Sequence, residues 1–306
     1  MISTGKRGAL LAAGALVINA FIWGVSWWPL RELQTLGLHP LWTTSLVYFV
    51  VLAGLLAFYR GSLKGFIAHP QLWLLALAAG MTNVGFNWAV TVGDVVRVVL
   101  LFYLMPAWSV LVAWALLAEK PTAASLLRLV IAMAGVLIVL KAPGATWPVP
   151  QGLPDWLAIM GGFSFALTNV MLSKLSHTPN GSRMLAMFAG GSVLAASAAL
   201  FGMSQHIVPA PSLQGVAPLL IIGLSLAFLI SNAALQYGAA RLAATTTALV
   251  MLTEILFASG SAALLGAAEF TPRIWLGGGL IVLAAALAAL APGPGPEPEP
   301  KVVENQ

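Results

Sequence analysis

The stretch from Phe102 to Thr122 constrains the fold of this chain more than any other. It reads FYLMPAWSVLVAWALLAEKPT, is apolar for long enough to cross a bilayer, and carries Pro106 in its first third. Inside hydrocarbon every backbone polar group needs a partner, so a proline within a span is tolerated where neighbouring helices line it. Proline also crowds the carbonyl four residues earlier. The stretch therefore predicts a helix that bends near Tyr103, with Pro106 as a hinge beside a cavity. The alternative is that Pro106 only shapes packing.

The composition indicates a polytopic membrane protein. Hydrophobic residues make up 60% of the chain and charged residues 8%, with a mean hydropathy of +0.95. A soluble domain carries roughly a quarter charged residues. Because a span needs about 20 apolar residues, we predict ten transmembrane helices, at 9–29, 41–59, 71–92, 95–118, 124–141, 153–175, 184–203, 215–238, 243–266 and 273–291. The tail at 292–306 is rich in Pro and Glu, which predicts a disordered cytoplasmic segment.

Lysine and arginine residues indicate the orientation in the membrane. With the N-terminus inside, ten of them fall on the cytoplasmic side and four on the outer side, so both termini are expected in the cytoplasm. The net charge of +5 does not indicate a nucleic-acid partner, because the basic residues sit singly in short loops. At the turn after the third span, Asp94 and Arg97 predict a surface ion pair or, alternatively, an outer-gate contact.

Matching residues in the two halves of the chain predict an internal repeat. An offset of 142 relates residues 21–26 to residues 163–168, and an offset of 149 relates Asn83 to Asn232. The chain therefore divides into five-helix repeats at 1–146 and 147–291. Five is an odd number, so the two repeats are inverted, as in many secondary transporters with a central site. A duplicated scaffold that does not transport is the alternative.

Polar residues inside the spans are candidates for a central cavity, because a polar side chain facing lipid is unfavourable. Helical spacing places Asn83 and Asn87 on one face of the third span, with Phe86 beside them. Such amides and aromatic rings suit a small zwitterion with an apolar side chain. The predicted substrate-binding residues are Trp23, Asn83, Phe86, Asn87, Tyr103, Phe163, Phe165, Asn169, Asn232 and Tyr237. The amides also fit a role in holding helices together, Trp23 and Phe163 fit packing, and Trp27 fits the aromatic belt at the interface.

Glu254 is the only carboxylate deep inside a predicted span. A buried acid in a transporter is a candidate for proton coupling. It also fits a structural role, in which it hydrogen-bonds free backbone. The structural role is favoured, so Glu254→Gln is expected to leave transport largely intact.

The sequence lacks the residues that several kinds of catalytic and binding site require. There is no cysteine, no phosphate-binding glycine loop with lysine, and no histidine pair at metal-ligand spacing on one helix face. No Ser, His and acid cluster falls within the membrane. We therefore expect no enzyme activity, cofactor or metal. An intramembrane enzyme and a ligand-binding sensor are the competing classes.

A family resemblance rests on three motifs and on the layout of five plus five spans. Ile22-Trp23-Gly24, the turn Phe102–Pro106 and the stop Glu119–Thr122 resemble the EamA branch of the drug/metabolite transporter superfamily. The FYLMP stretch, with an arginine before it and Trp108-Ser109 after it, looks most like amino-acid exporters of the YddG type. The resemblance implies a basket of helices around a central cavity and export of amino acids across a bacterial inner membrane.

The second repeat departs from this pattern. It reads Thr253-Glu254-Ile255 where a proline opposite Pro106 is expected, which predicts a straighter ninth helix. The small residues Gly277–Gly279 of the tenth helix allow a homodimer face, but internal packing and a monomer are expected.

The expected function is therefore export of neutral amino acids, aromatic ones included, by alternating access in the lipid bilayer. Export of other small metabolites or drugs on the same scaffold is the alternative.

Overall fold

The computed structural model describes residues 4–93, 95–141, 150–266 and 271–291, and all regular secondary structure within these ranges is α-helical. The helices, in chain order, are α1 (Thr4–Thr35), α2 (Pro40–Phe58), α3 (Gly61–Ala68), α4 (Gln71–Val92), α5 (Val95–Phe102), α6 (Met105–Leu117), α7 (Ala123–Leu140), α8 (Leu153–Lys174), α9 (Asn180–Ser204), α10 (Ala217–Ala239), α11 (Ala244–Met251), α12 (Glu254–Leu264) and α13 (Pro272–Ala289). The tail at 292–306, predicted to be disordered, and Asp94 lie outside the described residues.

Nine stretches of the described chain are long and apolar enough to cross a membrane. Two of them combine consecutive helices, since Arg97–Leu117 joins α5 to α6 and Ala244–Leu264 joins α11 to α12. α4 is outside the nine. Its 22 residues match the length of a span, but polar residues including Asn83 and Asn87 interrupt its apolar sequence. The described chain is thus a multi-pass, all-helical membrane protein, and the count of ten spans stays a prediction.

A short helix that the sequence analysis missed lies between the second and third predicted spans. α3 has eight residues, too few to cross a bilayer. Phe66 is buried within it, whereas Leu63 and Ile67 are exposed. Ser182 of α9 donates a hydrogen bond to the carbonyl oxygen of Ser62 at 2.9 Å, which fixes the start of α3.

Two spanning segments are broken near their middle. The predicted bend near Tyr103 is a break, because α5 ends at Phe102 and α6 begins at Met105. The prediction of a straighter ninth helix was wrong, since α11 ends at Met251 and α12 begins at Glu254. No proline is needed there. The hydroxyl of Thr253 donates to the carbonyl oxygen of Val250 at 2.8 Å, and such a bond bends helices.

Glycines allow the spans to approach one another closely. A Cβ on Gly85 of α4 would lie 2.9 Å from the backbone nitrogen of Gly161 in α8. α7 and α13 approach each other in the same way. A Cβ on Gly135 would lie 2.6 Å from the carbonyl oxygen of Gly277, and a Cβ on Gly277 would lie 2.6 Å from the carbonyl oxygen of Gly135. Gly277 therefore serves packing within the chain.

Arg97 pairs with a residue in the other half of the chain. Its Nε donates to both carboxylate oxygens of Asp155, at 2.9 and 3.0 Å, and Asp155 also accepts from the backbone of Gln151 at 2.7 Å. The ion pair ties α5 to α8. The pairing expected between Arg97 and Asp94 involves a residue outside the described chain.

His39 caps α2 and makes this cap dependent on pH. The backbone N–H of Leu41 donates to Nδ1 of His39 at 3.2 Å. Burial lowers the pKa of His39 from its ordinary value of 6.5, so the folded state favours the neutral ring, whose Nδ1 can accept. Because the pKa of His39 is lower in the folded state than in the unfolded state, the contribution of this cap to folding stability is complete above pH 6.5. The contribution decreases as the pH falls from 6.5 towards the folded-state pKa.

We predict that thermal stability in detergent decreases between about pH 7 and about pH 5 less steeply in His39→Asn than in the parent protein. Asparagine accepts the same backbone hydrogen bond at every pH, and such a cap contributes about 1 kcal/mol. Melting curves over this range measure the difference. Identical slopes for the two proteins would contradict a titrating cap.

Candidate functional site

A cavity of about 610 Å³ lies among the helices of both halves of the chain. At one end it reaches Arg31 and Gln34, which are exposed near the C-terminal end of α1. At the other end the lining residues Asn19, Leu235 and Met251 are buried. Within the described chain, the cavity is therefore open at one end and closed at the other.

Most of the residues predicted for the site line this cavity. They are Trp23, Asn83, Phe86, Asn87, Tyr103, Phe165 and Asn232, together with Glu254. The helical face inferred from spacing on the third predicted span thus points inward. Whether these side chains contact a substrate stays a prediction.

Three predicted residues do not line the cavity. Phe163 is 41% exposed and makes an edge contact with Trp108, at 5.7 Å between ring centroids. Tyr237 is 39% exposed, with the Arg241 guanidinium 3.8 Å above its ring. Asn169 is fully buried away from the cavity, and neither polar atom of its side chain has a hydrogen-bond partner.

The helical period explains two of these corrections. Each residue turns an α-helix by about 100°, so Phe163 lies on the side of α8 opposite Phe165. Tyr237 follows the cavity residue Asn232 by five positions, about 140° around α10, and faces outward. The period does not explain Asn169, which lies about 40° from Phe165, whereas Thr168 on the other side of Phe165 lines the cavity.

Three rings of the aromatic wall, Tyr48, Phe188 and Phe228, were not predicted. The ring of Trp23 stacks on Phe228 with centroids 4.4 Å apart, and Tyr48 contacts Phe188 at 5.1 Å. These rings come from α1, α2, α9 and α10. Nothing in the sequence distinguishes Tyr48, Phe188 and Phe228 from packing residues, because their partners lie on distant segments. Trp27 was assigned to the interfacial belt but lines the cavity, and it donates to the hydroxyl of Ser261 at 2.8 Å.

The amides are held by neighbouring groups. The side chain of Asn83 donates to the carbonyl oxygen of Ala79 at 2.8 Å and lies close to the phenol of Tyr48. Asn87 donates to the hydroxyl of Thr44. The side-chain amides of Asn232 and Gln236 are hydrogen-bonded to each other at 2.7 Å. These contacts fix the orientation of polar groups in an otherwise apolar wall.

The two helix breaks meet at the cavity. The phenol of Tyr103, at the break between α5 and α6, lies close to the carboxyl group of Glu254, at the break between α11 and α12. Both residues line the cavity. A bond from this carboxyl group to free backbone was favoured from the sequence, whereas the structure places Glu254 in the cavity wall beside Tyr103.

The approach of α1 to Glu254 depends on Gly24. A Cβ at position 24 would lie 2.8 Å from the carbonyl oxygen of Glu254 and 2.6 Å from the Cβ of Phe257. Any larger residue must push α12, and Glu254 with it, away from α1. Gly14, on the same helix, has no atom within 4 Å of a Cβ built in the same way.

We predict that Gly24→Ala destabilises the protein by roughly 1 to 3 kcal/mol, because added volume in a tight contact displaces the backbone. Gly14→Ala is expected to be neutral or slightly stabilising, since alanine favours a helix over glycine by about 1 kcal/mol. Thermal unfolding of both variants in detergent measures the effects. Equal melting temperatures for the two variants would contradict the close contact at Gly24.

Comparison with known proteins places this geometry in context. A solved crystal structure matches 90% of this chain and 96% of its own length, with a TM-score of 0.75 and 16% sequence identity, which shows the fold alone. No curated protein matches the sequence. Residues 8–141 match the model of the EamA-like transporter family. The first half of the chain is thus similar to a family within the drug/metabolite transporter superfamily, and this similarity indicates a membrane transporter.

Proposed function

We propose that the protein exports neutral amino acids, aromatic ones included, by alternating access across a bacterial inner membrane. The observation that carries the proposal is the cavity between the two broken helices, with its aromatic walls and its amides. Its volume of about 610 Å³ falls within the range of small-molecule sites. Discontinuous spans at a central cavity are typical of secondary transporters.

The chemistry of the lining fits an amino acid with an apolar side chain. Aromatic rings such as Trp23 and Phe228 offer flat surfaces against which such a side chain packs. The amides of Asn83 and Asn87 provide groups that donate to a carboxylate and accept from an ammonium.

Reciprocal contacts between the halves support two inverted repeats. The hydroxyl of Ser45 donates to the carbonyl oxygen of Ser192 at 3.2 Å, and the hydroxyl of Ser192 donates to that of Ser45 at 3.1 Å. The close contact between Gly135 and Gly277 is reciprocal in the same way. A pair of equivalent residues that contact each other symmetrically is expected on a two-fold axis. Such repeats allow one half to rock against the other.

The compartment that the open end of the cavity faces depends on the orientation proposed from lysine and arginine. With both termini in the cytoplasm, the end of the cavity at Arg31 and Gln34 faces outward. The structure then corresponds to an outward-open form, and export requires a second form that opens at the buried end. Bending at the two breaks and at Pro106 is the motion we propose for this exchange. Other small metabolites or drugs are the alternative cargo.

Uptake of radiolabelled amino acids into proteoliposomes tests this function. We predict that Asn83→Ala, Asn87→Ala and Tyr103→Ala each reduce phenylalanine uptake about fivefold, because loss of one polar contact amounts to about 1 kcal/mol. Inhibition by a panel of unlabelled amino acids ranks the substrates.

Phe163→Ala is the matched control, because this residue was predicted for the site from sequence but lies outside the cavity. It is expected to retain normal uptake. Uptake of the full panel at normal rates by all three cavity variants would contradict the assignment of the site. Absence of amino-acid flux in the parent protein would favour the alternative cargo.

A further inference from the structure

We propose that Glu254 binds the ammonium group of the substrate, so that the cavity selects amines with an apolar body and does not require an α-carboxylate. This inference rests on the proposed function and names the chemical group by which the cavity recognises its substrate.

The first observation is the charge of the cavity. Among the described residues that line it, only Arg31 and Glu254 are charged. Arg31 lies at the exposed end, whereas Glu254 lies at the helix breaks, close to the neutral phenol of Tyr103. The one salt bridge found within the described chain, between Arg97 and Asp155, does not involve it. A carboxylate inside a membrane protein without a cationic partner is strongly unfavourable. A substrate cation would supply the missing partner.

The second observation is the set of aromatic rings that line the cavity together with Glu254. Its neighbour Tyr103 contacts Phe102 at 5.9 Å between centroids, and Phe102 in turn contacts Phe86 at 4.9 Å and Phe165 at 6.0 Å. Trp23, which also lines the cavity, precedes Gly24, whose backbone lies close to that of Glu254. The faces of aromatic rings attract cations and accommodate apolar groups. A carboxylate in a cavity with such rings therefore favours an ammonium group joined to an apolar body.

The third observation is the distance to the nearest cation on α1. Gly24 contacts Glu254, and Arg31 follows Gly24 by seven residues, which is about 10 Å along a helix. In an α-amino acid a single carbon atom separates the ammonium from the carboxylate. When the ammonium group of an amino acid binds Glu254, its carboxylate is therefore too far from Arg31 to pair with it. Side-chain amides are then the groups available to bind that carboxylate. The carboxylate is then expected to add little to binding.

Three compounds with the same phenyl group test this inference. They are L-phenylalanine, 2-phenylethylamine, which lacks the carboxylate, and 3-phenylpropionate, which lacks the ammonium. Binding to the purified full chain in detergent is measured by isothermal titration calorimetry. We expect phenylalanine and phenylethylamine to bind within about threefold of each other, and phenylpropionate to bind at least about tenfold more weakly.

Glu254→Gln is expected to weaken binding of phenylethylamine at least about tenfold. Glu254→Asp keeps the charge and is expected to retain most of the affinity, which separates loss of the carboxylate from loss of structure. Glu32→Gln is the matched control, because Glu32 is exposed on α1 and lies outside this cavity. Melting temperatures identify a variant that fails to fold, and the comparison of the three compounds on the parent protein stands without any variant.

The outcomes separate this inference from the proposed function. Phenylalanine transport with no phenylethylamine binding, or with normal phenylethylamine binding by Glu254→Gln, would overturn the ammonium site and leave amino-acid export in place. Binding of phenylethylamine through Glu254 without phenylalanine flux in proteoliposomes would support the site and refute amino-acid export.

Discussion

Backbone hydrogen bonding inside the membrane is the constraint on which the structure of this protein depends. A helix that breaks in hydrocarbon leaves carbonyl and amide groups without partners, so breaks are tolerated where they line protein or a cavity. Here both breaks do so. At the first break Pro106 has no N–H to satisfy, and at the second the hydroxyl of Thr253 binds the carbonyl oxygen of Val250. Tyr103 and Glu254 then bring the two breaks together at the cavity. The cavity therefore lies where the backbone needs polar surroundings.

Close helix contacts and a polar cavity depend on each other in this fold. Glycines such as Gly24 and Gly85 bring backbones together around the cavity, and this close packing holds the rings and amides of the wall in fixed positions. The reciprocal bonds between Ser45 and Ser192 lie between α2 and α9 in the same way. A wall held by such contacts orients its polar groups before a ligand arrives, which reduces the entropy lost on binding.

The sequence predicted what depends on local pattern and missed what depends on distant partners. Apolar length placed nine spanning stretches of the described chain, and helical spacing placed Asn83 and Asn87 on the face that lines the cavity. Asn169 and Tyr237 were predicted for the site and do not line the cavity, because a polar or aromatic residue within a span does not by itself show which neighbours it faces. The second break was missed because only proline was taken as a signal, whereas a threonine hydroxyl has a similar effect. The pairing of Arg97 with a residue 58 positions away has no signal in a single sequence.

The two breaks differ in chemistry, and this difference suits an unsymmetrical substrate. Leu104 and Thr253, which lie at the breaks, are 149 positions apart, the same offset that relates Asn83 to Asn232. Glu254 then corresponds to Met105, so the second half carries a carboxylate where the first carries an apolar side chain. Two equivalent carboxylates facing each other across one cavity would repel, and one of them would be held neutral. A single carboxylate opposite a phenol avoids this repulsion. It also gives the cavity a polar end for an ammonium group and leaves the remaining rings for an apolar body.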